Sequence, residues 1–235
     1  MTKGSGRPAV SAVVPAAGSG TRFGGAKLWA ELGGQPVLAW VLRALGDPSS
    51  GISELVVVAD PQDHRRVVEV SAEVAPRLGC RCVAGGSRRQ ESVMNGLRAC
   101  SGDLVLIHDG ARPGVSAELL ARVLVAARRV GAATAYVPVT DSTARVVDGR
   151  LVDMLARDQL GAIQTPQAFS RQLLLRAHQR ASEVGLEADD DAALVMALDE
   201  PVAAVLGDFR NLKLTRAEDM MALRSWLAAP ERYQR

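Results

Sequence analysis

Two basic residues stand in a glycine-rich turn near the start of the chain, within VVPAAGSGTRFGGAKLW (13–29). Arg22 and Lys27 follow an apolar run and two closely spaced glycines. Backbone N–H groups in such a turn can face phosphate oxygens, and an arginine fork beside a mobile lysine suits a triphosphate. The turn has little side-chain bulk, so a flat base could lie against its backbone. The residues of this turn predicted to contact a nucleotide are Pro15, Ala16, Ala17, Gly18 and Gly20.

Two familiar phosphate loops do not fit this turn. A dinucleotide fingerprint needs a third glycine where Phe23 stands, and an acid closer in sequence than Asp60, which ends the next apolar run. A P-loop lysine is followed by serine or threonine, whereas Lys27 is followed by Leu28. A strand-to-helix turn with incidental surface cations is the alternative interpretation of these residues.

A second glycine turn lies in AGGSRRQESVMNGL (84–97), where a helical pattern begins after Gly85 and Gly86. These glycines would let the backbone approach a base. Ser92, in the start of the helix, would point back to the turn and bond the base edge or the ribose. A capped helix without a ligand is the alternative.

Asp109 follows an apolar strand pattern in VLIHDGARP (105–113), at the carboxyl end where open α/β sheets bind ligands. A carboxylate beside a triphosphate is repelled unless a cation lies between them. Magnesium is usually held by one or two carboxylates plus phosphate oxygens. Asp109 is therefore predicted to bind Mg²⁺ or another divalent cation, and Arg112 is left to pair with a structural carboxylate.

Ligands for a second phosphate are predicted further along the chain. In DSTAR (141–145) the hydroxyl of Ser142 stands near Arg145, a combination that suits a phosphate monoester. In NLKLT (211–215) Lys213 alternates with leucines, and an anionic partner would offset the cost of its position. The alternative for Lys213 is an edge-strand lysine that discourages aggregation. Arg157 lies in the same part of the chain as DSTAR, and from the sequence alone it is a plain surface charge.

Apolar runs that alternate with helical patterns must position these residues. Because the runs are almost continuously apolar, they predict strands buried on both faces, as in a parallel sheet. The predicted strands are 11–17, 54–60, 81–85, 103–109 and 133–139, with two short ones at 202–208 and 212–215. The predicted helices are 36–46, 62–77, 90–100, 116–130, 170–184, 190–199 and 216–227, with Asp190 and Asp191 as caps of the sixth. This alternation predicts a three-layer α/β fold with a mostly parallel, Rossmann-like sheet.

The alternation breaks after Val139. β-branched residues around the turn signal VDGR (147–150) predict either a protruding β-arm at 140–163 or an ordinary surface hairpin. Residues 1–8 are predicted to be a flexible tail, and 9–235 a single domain that carries the arm.

Composition excludes several classes of function. The chain has 235 residues, of which 48% are hydrophobic, enough for one large core. A net charge of +2 and an aromatic share of 3% give no sign of a nucleic-acid surface. No apolar run reaches the length of a membrane span. The chain has three cysteines, Cys80, Cys82 and Cys100, and no secretory signal is recognised. These features predict reduced thiols in a cytoplasmic protein.

Taken in order, the motifs resemble those of one enzyme family. PAAGSGTRFGGAK is similar to the signature loop of nucleotidyltransferases of the sugar-nucleotide type. The motifs GGSRRQESVMNGL, VLIHDGARP, VPVTDS, QTPQAF and NLKLT resemble the 2-C-methyl-D-erythritol 4-phosphate cytidylyltransferase family of the non-mevalonate isoprenoid pathway. The resemblance runs from about residue 10 to 225. It implies the fold of the nucleotide-diphospho-sugar transferases and a homodimer in which each arm completes the partner's substrate site.

The resemblance also implies a reaction of CTP with 2-C-methyl-D-erythritol 4-phosphate that releases pyrophosphate. The catalytic residues it implies are Arg22, Lys27, Arg157 and Lys213. The residues it implies for the acceptor phosphate are Ser142, Arg157 and Lys213, and those for cytidine are Gly85, Gly86, Ser92 and Gly110. No general base is needed, because a phosphate monoester is mostly dianionic at neutral pH. One alternative is a cytidylyltransferase for another polyol phosphate, such as ribitol 5-phosphate. The other is a non-catalytic nucleotide-binding module, which would be expected to have lost Arg22, Lys27, Asp109 or Lys213.

Overall fold

The computed structural model describes residues 9–18, 20 and 23–228. Its strands are β1 (Val10–Pro15), β2 (Glu31–Leu32), β3 (Gln35–Pro36), β4 (Glu54–Ala59), β5 (Cys80–Ala84), β6 (Leu104–Ile107), β7 (Ala132–Pro138), β8 (Thr143–Val147), β9 (Arg150–Leu155), β10 (Gly161–Ser170) and β11 (Ala203–Leu206). Its helices are α1 (Val37–Gly46), α2 (His64–Val74), α3 (Arg89–Ala99), α4 (Ala117–Val130), α5 (Arg171–Val184), α6 (Asp191–Met196) and α7 (Asp219–Ala228). The predicted tail, 1–8, lies outside the described residues.

The central sheet has seven strands in the order β11-β7-β10-β6-β1-β4-β5. The pairs β1–β4, β1–β6, β4–β5 and β7–β11 are parallel, and only β10 runs antiparallel to its neighbours in this sheet. The prediction of a mostly parallel α/β sheet is therefore confirmed.

Helices cover both faces of the sheet, which gives the three predicted layers. Side chains of β1 alternate between the faces: Ala12 and Val14 pack in a core with α1, α2, α4 and α7, whereas Val13 packs in a core with α3, α5 and α6. All three side chains are fully buried. A strand buried on both faces is almost continuously apolar, which is why β1 could be recognised in the sequence despite Ser11.

The main differences from the prediction concern two predicted elements and one strand of the central sheet. Residues 212–215 form no strand, because the one backbone–backbone hydrogen bond that joins this described stretch to the body is Leu214 N–H to Ala111 O at 2.8 Å. β10 was not predicted as a strand. The last helix begins at Asp219 rather than at residue 216, since the Asp219 carboxylate accepts the N–H groups of Thr215 and Arg216 at 2.7 and 2.8 Å.

The predicted caps of the sixth helix are half right. Asp190 caps α6, since its carboxylate accepts the Ala193 N–H at 2.9 Å. Asp191 is the first residue of the helix, and its side chain is fully buried against other elements instead.

The predicted hairpin is present as β8 and β9, which pair with each other in a separate two-stranded sheet. Asp148 and Gly149 form its turn with positive φ angles of 50° and 74°, as a two-residue hairpin turn of the primed type requires. Every residue of β9 is exposed. No helix in the described ranges is long and apolar enough to cross a bilayer.

Candidate active site

Three loops meet where the parallel strands β1, β5 and β6 end. We call these segments, residues 15–18 and 20, 85–92 and 108–112, the rim, in which 89–92 form the first turn of α3. Backbone hydrogen bonds fix the rim to the strand ends: Ala16 N–H donates to Val58 O at 2.7 Å, Gly85 N–H to Ala59 O at 3.2 Å and Gly110 N–H to Pro15 O at 3.3 Å. The turns that the sequence assigned to one nucleotide site are therefore neighbours.

Two glycines of the rim are needed for this packing. A Cβ atom on Gly85 would lie 2.3 Å from the Cβ of Ala17, so a side chain there would push the two turns apart. Gly20 has a φ of +65°, and a Cβ on it would lie 2.1 Å from the carbonyl oxygen of Gly25. The backbones of Gly20 and Gly25 therefore lie in close contact.

Lys27 and the first turn share a cleft of about 260 Å³. Ala16, Ala17 and Gly18 line one part of the cleft, and Lys27 with Trp29 lines another. The structure thus brings Lys27 to the turn predicted to hold a nucleotide. Arg22, the other predicted cation of this turn, lies outside the described residues.

Asp109 is the acidic centre of the rim. Its carboxylate lies 2.8 Å from Lys213 Nζ, 3.5 Å from Arg112 Nε and 3.6 Å from Arg89 Nε. Burial raises the pKa of this carboxyl, but the nearby charges of Lys213, Arg89 and Arg112 outweigh burial and hold its pKa well below the ordinary value. Asp109 is therefore ionised at any pH at which the protein would work.

Lys213 reaches Asp109 because of its neighbour in the chain. Leu214 is fully buried in the core, and its N–H bonds Ala111 in the rim. The Lys213 side chain is 37% exposed and lies beside a cleft of about 500 Å³. Arg112 and Arg216 also line this cleft. Phosphate from solution can therefore approach Lys213 on the side away from the leucine.

Ser92 lies in the 85–92 turn, as expected. Its hydroxyl accepts the Gly86 N–H at 3.0 Å and donates to Arg88 O at 3.1 Å. The side chain is buried, and in this structure it closes the turn.

Ser142 and Arg157 flank the hairpin of β8 and β9 and lie outside the rim. Both are exposed, and the Arg157 guanidinium donates to Thr140 O at 3.0 Å. Within the described chain, neither side chain makes a polar contact with Asp109 or Lys213.

Sequence reasoning missed a buried polar chain behind Asp109. Thr165 Oγ1 accepts the Asp109 N–H at 3.0 Å and lies 3.2 Å from His108 Nδ1, while His108 Nε2 lies 3.2 Å from Arg112 O. These contacts suit a neutral imidazole that accepts at Nδ1 and donates at Nε2. Asn211 fixes the same strand by donating to Thr165 O at 2.7 Å. A histidine that directly follows an apolar strand was the available signal.

Sequence reasoning also gave no role to Arg89, which contacts Asp109. Arg89 is the first residue of α3, where the helix dipole disfavours a cation. That position was the signal that its side chain has an acidic partner elsewhere.

Acid is expected to destabilise the protein through His108. Burial lowers the pKa of His108 from 6.5 to about 4, against the smaller raising effect of Asp109, while Arg112 and Lys213 lower it further. The unfolded chain then binds a proton at a higher pH than the folded one, so stability is complete above pH 6.5 and is lost as the pH falls toward 4. Between pH 7.5 and 5 this group should cost about 2 kcal/mol, measurable by urea unfolding.

The matched comparison uses two histidine substitutions. His108→Gln should remove this part of the acid loss, whereas His64→Gln should keep it because that variant retains His108. If wild type and His108→Gln lose the same stability between the two pH values, His108 is not held neutral.

Comparisons with known proteins identify the family of this chain. The family model for 2-C-methyl-D-erythritol 4-phosphate cytidylyltransferase matches residues 10–228. A protein of that name from Halalkalibacterium halodurans is 40% identical over 225 residues, which cover 94% of this chain and 98% of the relative.

Solved structures give the same result. The enzyme of that name from Thermus thermophilus superposes with a TM-score of 0.77 at 35% identity, covering 92% of this chain and 98% of that one. The 4-diphosphocytidyl-2C-methyl-D-erythritol synthase from Anaerococcus prevotii superposes with a TM-score of 0.83 at 30% identity, covering 94% and 98%.

Proposed function

Because the chain belongs to the 2-C-methyl-D-erythritol 4-phosphate cytidylyltransferase family, we propose that the cations Arg22, Lys27 and Lys213 hold the phosphates of both substrates. The enzyme joins CTP and 2-C-methyl-D-erythritol 4-phosphate to give 4-diphosphocytidyl-2-C-methyl-D-erythritol and pyrophosphate, in isoprenoid precursor biosynthesis. The observation that carries the assignment of residues is the contact of Lys213 with Asp109, next to the turn that shares a cleft with Lys27.

Cytidine lies over the first two turns of the rim in this proposal. Gly85 and Gly86 expose backbone to the base, and Ser92 would exchange its bond to the turn for one to the nucleotide. Ala16, Ala17 and Gly18 have no bulk to obstruct the phosphates. Gly110 sits close to Leu38 and Pro15, so the rim is already tightly packed there.

Asp109 is the residue that would hold Mg²⁺. Among the described residues no group of three or more His, Cys, Asp or Glu side chains is arranged to hold a metal ion. A single ionised carboxylate fits Mg²⁺ nonetheless, because this ion is commonly bound by one or two carboxylates together with substrate phosphates. When bound, Mg²⁺ would offset the charge of the triphosphate.

The chain's own cations supply the rest of the charge. Lys27 and Arg22 stabilise negative charge on the transferring and leaving phosphates, and Lys213 orients the acceptor phosphate toward them. The acceptor phosphate is itself the nucleophile and is mostly dianionic at neutral pH, so no side chain has to remove a proton. Alignment and charge therefore carry the rate.

The hairpin is assigned to a homodimer. β8 and β9 expose many apolar side chains to solvent, among them Leu151 at 72% and Met154 at 60%. An exposed apolar strand pair of this kind marks an interaction surface. A second copy that covers it would bring Ser142 and Arg157 to the partner's Lys213, with arm exchange between the two subunits.

Mixed dimers test the exchange. Arg157→Ala and Lys213→Ala homodimers should each lose nearly all turnover. A heterodimer purified with two different tags keeps one site with both residues, so it should recover about half the wild-type rate. A heterodimer as inactive as its parents would show that Arg157 serves its own chain, and normal turnover in the Arg157→Ala homodimer would show that it serves neither site.

A panel of acceptors tests the function itself. With CTP and Mg²⁺, pyrophosphate release should require 2-C-methyl-D-erythritol 4-phosphate and should be far slower with ribitol 5-phosphate. Preference for ribitol 5-phosphate would instead favour the alternative acceptor.

The three free thiols suit a reducing compartment, and we place the reaction in the cytoplasm.

A further inference from the structure

Arg89 lies between two acidic side chains that come from different parts of the fold. Its Nη1 is 2.9 Å from Asp191 Oδ2, and its Nε is 3.6 Å from Asp109 Oδ1. The Arg89 side chain is 26% exposed, whereas the two carboxylates are 1% and 9% exposed. The guanidinium thus joins Asp109 to a carboxylate that takes no part in the reaction described above.

Asp191 is itself firmly held. Its other oxygen, Oδ1, is 2.9 Å from His178 Nε2 on α5, and its backbone N–H donates to Gln167 Oε1 on β10 at 3.1 Å. Burial raises the pKa of Asp191, but the hydrogen bond from His178 and the charge of Arg89 lower it more. Asp191 is therefore a fixed anion, and it fixes the guanidinium of Arg89.

The two oxygens of Asp109 have different partners. Oδ2 faces Lys213 and Arg112, and Oδ1 faces Arg89. Two cations would still keep Asp109 ionised if Arg89 were removed. The direction of the carboxylate would change, however, because Lys213 and Arg112 would still attract Oδ2 while Arg89 no longer attracted Oδ1.

We propose that Arg89 is a positioning residue, held by Asp191, that sets the direction in which Asp109 presents its carboxylate to the metal-bound nucleotide. Arg89 also begins α3, directly after the turn assigned to cytosine. It therefore ties the base-binding turn to the metal-binding carboxylate. The proposal rests on the assignment of Asp109 to Mg²⁺.

The test measures binding as well as turnover. The dissociation constant of CTP, determined by calorimetry with and without Mg²⁺ in the absence of acceptor, gives the gain in affinity that Mg²⁺ brings. Arg89→Gln should lose most of this gain, and its kcat should fall about 10- to 100-fold, the usual effect of removing a residue that orients a metal ligand. Its affinity for CTP without Mg²⁺ should stay near that of wild type.

Matched variants separate positioning from folding. Arg89→Lys keeps the charge beside Asp191 but lacks the fork that reaches both carboxylates, so it should fold like wild type and still lose part of the gain. Arg176→Gln is the control, because this side chain is 64% exposed and pairs with Glu200, outside the rim. It should keep the wild-type gain and kcat.

The outcomes are distinct. A wild-type gain in both Arg89 variants, with Asp109→Asn losing it, would overturn the role of Arg89 and leave the metal assignment intact. A wild-type gain in Asp109→Asn would instead refute the metal assignment. If Arg89→Gln does not fold, the result with Arg89→Lys decides.

Discussion

Replacing Lys27 with alanine is expected to lower kcat about 1,000-fold, with little change in thermal stability. Lys27 lines the same cleft as Ala16, Ala17 and Gly18 and is the one described cation of that turn. A charge aimed at the triphosphate stabilises the transition state more than the bound nucleotide, because negative charge builds up on the leaving pyrophosphate. The loss should therefore appear in kcat at saturating CTP, measured as pyrophosphate release.

The control for Lys27→Ala is Arg65→Ala. The Arg65 side chain is 90% exposed and, among the described residues, pairs with Glu69, four residues along α2. Removing it deletes a charge of the same sign outside the cleft and should leave kcat unchanged. Near-normal turnover in Lys27→Ala would refute the assignment of this cleft to the triphosphate.

Lys213→Ala is expected to have the second large effect, and a different kinetic form. Its loss should lower kcat/KM for 2-C-methyl-D-erythritol 4-phosphate about 100- to 1,000-fold, as for one partner of a close charge pair. The affinity for CTP should change much less, since Lys213 lies beside the cleft of about 500 Å³ and outside the one that holds Lys27. Varying the acceptor at saturating CTP measures the effect.

Arg210→Ala is the matched control for Lys213→Ala. The Arg210 side chain is 39% exposed, close to the 37% of Lys213, but it pairs with Asp208 rather than with Asp109. Its kcat/KM should stay near the wild-type value. If Lys213→Ala raised the KM for CTP and spared that for the acceptor, the two clefts would have to exchange roles.

The sequence could predict the elements whose burial imposes a pattern. β1 and β4 lie buried on both faces, so continuous apolar runs located them to within one or two residues. α4 carried an N-cap serine, an apolar stripe and a terminal glycine, and the structure has all three. β10 was not predicted because its apolar pattern is interrupted by polar residues and a proline, Gln164 to Gln167. Its pairing with β7 shifts register at the same point.

The same distinction applies to the site. Residues that directly follow strands, such as Asp109 and Gly85, could be placed together because parallel strands end at one edge of the sheet. Arg89 and Asp191 could not, because each sits at the start of a different helix and only the packing of those helices brings them together. Thr165 accepts the Asp109 N–H from β10, a strand that the sequence did not predict and that runs antiparallel to β6.

The most direct test is a crystal structure of the protein with Mg²⁺ and a non-hydrolysable CTP analogue. We expect the ion on the Asp109 carboxylate, the base against Gly85 and the phosphates within hydrogen-bonding distance of Lys27. A second cleft, of about 790 Å³, is lined by residues of α3 and α5. A nucleotide seated there, in contact with neither Lys27 nor Asp109, would contradict the assignment.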